Sequence, residues 1–243
     1  MNKQVSFEII NGREIFNILT EPENPQNKIV IMSHGFRGTS IGPARTFVDF
    51  EQLLLKEGFS SLRFDQACSG NSEGDYINSS FNDWVNTTAY FAKKYLDKDY
   101  KVILLGQSMG ATTAMIATSK EELRGKIPAI IVWVPDPKST FDKDANVVYE
   151  EGGQRYKGTF WQEARNANFF DCLDNYTGKI HLVYGENDKY ISEELRNQVI
   201  DKVKQKGQSV MILAGQDHSS WDYDVVQPVY QEELNFLKSG LES

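Results

Sequence analysis

The segment from Lys101 to Thr118, KVILLGQSMGATTAMIAT, joins an apolar, strand-like run to a run of small and apolar residues that favour a helix. No loop separates them, and Gly106-Gln107-Ser108-Met109-Gly110 stands at the junction. Glycine two residues to either side of Ser108 suits a turn so sharp that the serine takes a strained backbone conformation. Larger flanking side chains would collide with the adjoining strand and helix. Such a turn presents the hydroxyl at the carboxyl end of a sheet. A GxSxG string alone is a weak signal, and a helix-capping serine is the plainer explanation of it. A serine hydroxyl attacks a carbonyl only when a base takes its proton, so the chemistry requires a histidine and a carboxylate that the fold can bring to Ser108.

The chain has three histidines. His181 falls inside the predicted strand Ile180 to Tyr184 and reads as a satisfied structural histidine. His34 ends an earlier predicted strand, in His34-Gly35-Phe36. His218 lies in the loop after the last predicted strand, at the same sheet end as Ser108, and is the candidate base by position and elimination. The candidate acid is Asp188, just beyond the preceding strand in Gly185-Glu186-Asn187-Asp188. Glu186 and Asp217 are its rivals, and Asp217 is expected to point away from the ring of its neighbour. The chain order is then Ser108, Asp188, His218. A developing oxyanion also needs backbone N–H donors, each typically worth roughly 10²–10³ in rate. Met109 and Phe36 are placed to supply them, although His34-Gly35-Phe36 considered alone is an ordinary strand-ending turn.

These residues need a scaffold. Val5 to Ile10 and Glu14 to Leu19 alternate as strands around Asn11-Gly12, a hairpin turn pair. Lys28 to Ser33, Ser61 to Phe64, Lys101 to Leu105, Ala129 to Val134, Ile180 to Tyr184 and Ser209 to Leu213 are short apolar runs, the pattern of strands in a parallel sheet. Helical spacing over about Ala44 to Glu57, Phe81 to Leu96, Ser192 to Lys206 and Val225 to Lys238 alternates with them, which predicts right-handed crossovers in an α/β fold. The aromatics Phe81, Trp84, Tyr90 and Phe91 read as core. From Pro135 to Gly178 the alternation stops. That stretch carries Phe141, Tyr149, Tyr156, Phe160, Trp161, Phe169, Phe170 and Tyr176 without a clean sheet period, and it reads as an irregular cap over the site.

Composition narrows the function classes. The 243 residues suit one domain, 1–243, with the cap as an insertion at about 135–178, and 40% hydrophobic with 25% charged residues is ordinary for a soluble globular protein. A net charge of −8 argues against nucleic acid as a partner. No apolar run approaches the ~20 residues of a membrane span, and the first residues lack the continuous apolar core of a secretory signal. Cys68 and Cys172 lie far apart and suggest neither a metal site nor a disulfide. A cytoplasmic protein with free thiols is expected.

The HGF turn, the GQSMG elbow, the acid in GENDKY and the histidine in GQDHSSW resemble the α/β-hydrolase superfamily over nearly the whole chain. The short cap is most similar to small bacterial cinnamoyl (feruloyl) esterases and monoacylglycerol lipase-type serine esterases. That resemblance implies an eight-stranded, mostly parallel sheet flanked by helices, a Ser-His-Asp triad, and hydrolysis of a small-molecule carboxylic ester through an acyl-enzyme, with no cofactor. Asp65 to Ser72 corresponds to a loop that the family writes Asp-x-Arg-Gly-x-Gly-x-Ser; Ala67 and Cys68 depart from it, and Gln107 replaces a common histidine. Thioesterase, peptidase or monoacylglycerol lipase chemistry would use the same triad, and a non-catalytic binding protein of this fold is the reading from another class. A homodimer through the cap or a sheet edge is compatible with the sequence.

Overall fold

The computed structural model describes residues 1–138 and 143–240, so the expected aromatic Phe141 lies outside the described residues. Strands β1 (Asn2–Ile10) and β2 (Arg13–Glu21) form the expected antiparallel pair, turned by Asn11 and Gly12 at φ 52° and 79°. Then follow β3 (Lys28–Ser33), α1 (Thr46–Lys56), β4 (Ser60–Phe64), α2 (Phe81–Leu96), β5 (Lys101–Gln107), α3 (Met109–Ala117) and β6 (Ala129–Trp133). Helix α1 starts later than its periodicity suggests because Ala44 and Arg45 take positive φ, 48° and 67°, which a helix cannot accommodate. The stretch expected to be irregular holds regular elements: a hairpin, β7 (Val148–Glu151) with β8 (Gln154–Lys157), and two short helices, α4 (Thr159–Asn166) and α5 (Phe169–Asn175). Strands of only 4 residues, joined by the turn at Gly152-Gly153, leave no detectable period. The chain closes with β9 (Lys179–Gly185), α6 (Glu193–Gln205), β10 (Ser209–Leu213) and α7 (Tyr223–Gly240).

Eight strands make one sheet in the order β1-β2-β4-β3-β5-β6-β9-β10, parallel from β4 onward. The crossover from β3 to β4 runs in one direction across the sheet, whereas that from β4 to β5 and those beyond run in the other. Right-handed connections therefore place α1 on one face and α2 and α3 on the opposite one, and α7 packs beside α1. Strand order reverses between β3 and β5, which leaves a crevice at their carboxyl ends. Ser33 pairs with Gly106 there, so the HGF turn and the GQSMG elbow emerge side by side.

The inserted segment packs on the body of the protein. The β7–β8 hairpin rests on the turn at Tyr76–Asn78, α4 on α2 and α5 on α3. Ser80 caps α2 through the Asp83 N–H, and Glu163 of α4 accepts from both Ser80 Oγ (2.7 Å) and the Asn82 N–H (3.1 Å). Most of the segment's aromatics serve this packing: Tyr156, Phe160 and Phe169 are almost fully buried.

A buried ion network braces the loop after β3. Arg63 of β4 donates from Nε and Nη2 to Glu51 of α1 (2.8 and 3.3 Å), and its Nη1 donates to the Ser40 carbonyl (2.8 Å), which ties down the loop after β3. Burial opposes ionisation of Glu51, but hydrogen bonds from Arg63 and Lys3 outweigh it and hold the carboxyl below its usual range. Removing one partner strands the other charge. Glu51→Ala should cost about 3–5 kcal/mol in urea unfolding, and the double change Glu51→Ala, Arg63→Met should recover much of it; a single-variant cost below about 1 kcal/mol would contradict this role.

Candidate active site

The Ser108 backbone sits at φ 55°, ψ −126°, a region that a non-glycine residue occupies only when its surroundings force it. The N–H donates to the Trp133 carbonyl of the neighbouring strand (2.8 Å), and the carbonyl accepts from the Ala111 N–H (2.8 Å), so both ends of the strained peptide are held. The two glycines are steric necessities. A Cβ on Gly110 would lie 2.0 Å from the Ser33 carbonyl oxygen, and one on Gly106 would lie 2.3 Å from that of Gly110. Helix α3 can therefore press its first turn against the ends of β3 and β5.

Facing the hydroxyl, His218 Nε2 lies 2.8 Å from Ser108 Oγ, and its Nδ1 lies 2.7 Å from Asp188 Oδ2. The Asp188 side chain is fully buried, and its Oδ1 accepts the N–H groups of Tyr190 (2.8 Å) and Ile191 (2.9 Å). Arg196 holds that loop by donating to the carbonyls of Asp188, Ile191 and Glu186. With its Nδ1–H donated to Asp188, the neutral His218 ring presents Nε2 as an acceptor for the serine hydroxyl. The rival acids are engaged elsewhere. Asp217 pairs with Lys189, whose hydrogen bond, with that of the His218 N–H, holds its carboxyl at about 2. Glu186 accepts the Gly215 N–H (2.8 Å) and braces the histidine loop. His181 is remote from this group and buried, bonded to Glu233 at 2.6 Å.

The HGF turn has a feature that sequence inspection missed. His34 is buried, and burial lowers its pKa, so the ring is neutral. The Gln66 N–H donates to Nε2 (2.9 Å), which places the proton on Nδ1 facing the Gly35 carbonyl (2.8 Å). That carbonyl also accepts the Gly38 N–H (2.9 Å). A peptide unit is planar, so pinning the Gly35 oxygen fixes the direction of the Phe36 N–H at its other end. The Met109 N–H is in the first turn of α3 and has no intrahelical acceptor by its position. Phe36 and Met109 border, with Ser108 and His218, a cavity of about 520 Å³. The Phe36 ring is locked by Tyr156 and Trp161 of the inserted segment, at centroid distances of 4.9 and 4.7 Å.

The loop Asp65 to Ser72 braces the same turn. Asp65 accepts the N–H groups of Ser40 (2.6 Å) and Asn71 (2.8 Å), and Gly70 at φ 54° leaves room for its carboxylate. Cys68 stands at φ 65°, a conformation natural to glycine. Both cysteines are free thiols, and among the described residues no group of His, Cys, Asp or Glu side chains is placed to hold a metal ion. Among them, too, no helix is long and apolar enough to cross a membrane.

Asp136, in Pro135-Asp136-Pro137 after β6, also borders the cavity and was not singled out from the sequence. Its position at the carboxyl end of a central strand was the available signal. The residue is 4% exposed, and burial pushes its carboxyl up to about 6, with the Lys138 N–H and His218 opposing and Asp188 reinforcing the shift. A carboxyl whose folded pKa is raised favours folding while protonated, below its unfolded value, and loses that contribution as pH rises through the folded value. The shift of about two units corresponds to about 3 kcal/mol at most. Asp136→Asn should therefore unfold at higher urea than the parent at pH 8 and at nearly the same urea at pH 4; no gain at pH 8 would contradict the buried-charge account.

Residues 24–138 match the family model described as serine aminopeptidase, S33. No curated protein matches the sequence. Among solved structures, Est1E from Butyrivibrio proteoclasticus with bound ferulic acid superposes with a TM-score of 0.85 at 22% identity, covering 98% of this chain and 99% of that one. The α/β-hydrolase GrgF from Penicillium sp. sh18 gives 0.82 at 15% identity with full coverage of both chains. An esterase from Pyrococcus furiosus gives 0.71 at 18% identity, covering 99% of this chain and 92% of that one. The expected resemblance holds at the level of architecture: this chain has the α/β-hydrolase fold, with esterases among its structural neighbours.

Proposed function

We propose that this chain is a serine hydrolase that cleaves carboxylic esters through an acyl-enzyme. The observation that carries the reading is the unbroken line from Asp188 Oδ2 through His218 to Ser108 Oγ, with contacts of 2.7 and 2.8 Å, opening on the cavity. In the first half-reaction Ser108 Oγ bonds to the ester carbonyl carbon while its proton passes to His218 Nε2. The carbonyl oxygen becomes an oxyanion held by the N–H groups of Phe36 and Met109. The C–O bond to the alcohol then breaks, and His218 returns the proton to the leaving oxygen. In the second half-reaction water repeats the sequence on the acyl-enzyme, releasing the acid and restoring the serine. Asp188 holds the imidazole in the required tautomer and stabilises its cation.

The segment 135–178 acts in this reading as a cap that walls the cavity with Trp161 and the β7–β8 hairpin. Phe36, Met109 and Trp161 give the cavity an apolar side suited to a short or aromatic acyl group, and the solved neighbour with bound ferulic acid agrees with the aromatic option. Peptide hydrolysis, suggested by the family model's description, is the second reading on the same machinery.

Ser108→Ala should abolish turnover of p-nitrophenyl butyrate and labelling by a fluorophosphonate probe. Asp188→Asn should lower kcat by about 10⁴, the scale at which a misplaced tautomer acts in a comparable triad. Retained labelling in Ser108→Ala, or no labelling of the parent, would overturn the assignment. A panel of alkyl, hydroxycinnamoyl, thioester and aminoacyl anilide substrates measured as kcat/KM separates esterase from thioesterase and peptidase.

A further inference from the structure

The residue before the nucleophile makes a bond that the hydrolytic steps above do not use. Gln107 ends β5 and is buried, and its Nε2 donates to Ser219 Oγ (3.1 Å), far along the chain. Ser219 directly follows His218, and it borders the cavity together with Gln107, Ser108 and His218. Gly35 makes room for the amide, since a Cβ there would lie 2.7 Å from Gln107 Oε1. The main chain of Gln107 is fixed in turn by its ladder partner, Trp133.

The other restraints on the histidine loop come from a different direction. Asp188 Oδ2 lies 2.7 Å from Nδ1, the Tyr190 ring stands 5.2 Å from the imidazole, the Asn187 N–H donates to the Gln216 carbonyl (2.8 Å), and Glu186 accepts the Gly215 N–H (2.8 Å). These four residues all belong to the loop that carries the acid. Trp221 packs on Trp133 at 5.7 Å and donates to the Asp217 carbonyl (3.2 Å), which steadies the far end of the turn. The acid's loop therefore sets the contact between Asp188 and His218, whereas Gln107 ties the residue beside His218 to the strand that carries the nucleophile.

That difference matters at one stage of the reaction. In the free enzyme the Ser108 hydroxyl donates to His218 Nε2, so the triad itself spans the two elements. In the acyl-enzyme Ser108 Oγ is an ester oxygen without a proton, and Nε2 of the neutral ring has none either. Two acceptors then face each other, and that bond is gone. His218 must still take a proton from water as the water oxygen bonds to the acyl carbon; the C–Oγ bond then breaks and the proton passes from Nε2 to Oγ. A ring held at Nδ1 alone can swing about that contact. The bond from Gln107 to Ser219 involves none of the reacting atoms, so acylation leaves it in place.

We infer that Gln107 is a positioning residue for deacylation: through Ser219 it keeps His218 facing the acyl carbon while the serine is esterified. The inference rests on the serine-hydrolase reading and adds to that site a residue outside the triad.

The two half-reactions are compared with p-nitrophenyl butyrate as substrate. Gln107→Met keeps the length and loses the donor, and Ser219→Ala independently removes the acceptor. Each should slow the decay of the butyryl-enzyme, followed by intact-protein mass spectrometry, about three- to tenfold, the scale of one neutral hydrogen bond. Because the adduct accumulates, kcat and KM should fall together, and kcat/KM, which reports acylation, should change less. The double variant should be no slower than either single one, since both remove the same bond. Gln107→His restores an N–H donor and should recover part of the decay rate. Two variants on different elements guard against one failing to fold. A decay rate unchanged in both single variants, or kcat and the rate of fluorophosphonate labelling falling in equal proportion with no adduct, overturns the inference while the hydrolase reading stands. A parent that neither labels nor turns over the ester overturns the hydrolase reading and this role with it.

Discussion

The close approach of helix α3 to the end of β3 is the constraint on which the other features depend. Gly110 lies so near the Ser33 and His34 carbonyls that no side chain fits between them. This contact brings the first turn of α3 beside the HGF turn and forces Ser108 into its left-handed backbone. Phe36 and Met109, from separate elements, then border the same cavity as Ser108. The strain is local, and the parallel strands on both sides, buried on both faces, supply the rigidity that sustains it.

The residues around that contact show two styles of support. His34, Gly38 and Gln66 fix one peptide plane through hydrogen bonds, whereas Phe36 is fixed by ring packing from the inserted segment. Asp65 and Arg63 restrain the same loop from β4 through Ser40, one accepting its N–H and the other donating to its carbonyl. The turn is thus held from three sides, by the sheet, by the loop after β4 and by the insertion. Asp136 contrasts with these supports. It is a buried carboxyl with an unfilled oxygen, an arrangement that stability alone would not favour.

Much of this was legible in the amino-acid order. The buried strands announced themselves as apolar runs, because a strand covered on both faces has no polar side to interrupt it. Asn11-Gly12 marked the opening hairpin, and Ser108, Asp188 and His218 could be paired because each follows a different strand at one sheet end. What stayed hidden depended on three-dimensional approach. The hairpin at 148–157 was missed because four-residue strands are too short to show alternation. The brace at His34 could not be read because its partner, the Gln66 N–H, belongs to the backbone and carries no residue-type signal. Asp136 stands between two prolines after β6, and only its burial distinguishes it from a solvated aspartate.

The joint between Glu163 and the start of α2 bears on how firmly one wall of the cavity is held. Glu163 accepts from both Ser80 Oγ and the Asn82 N–H, so the insertion completes the hydrogen bonding of a helix that belongs to the central body. Moving α4 outward would leave the Asn82 N–H unpaired and take two ring partners, Phe160 and Trp161, away from Phe36. The β7–β8 hairpin and the loop bearing Tyr190 both border the cavity, so the bonds that hold α4 to α2 also help to hold the cavity's shape.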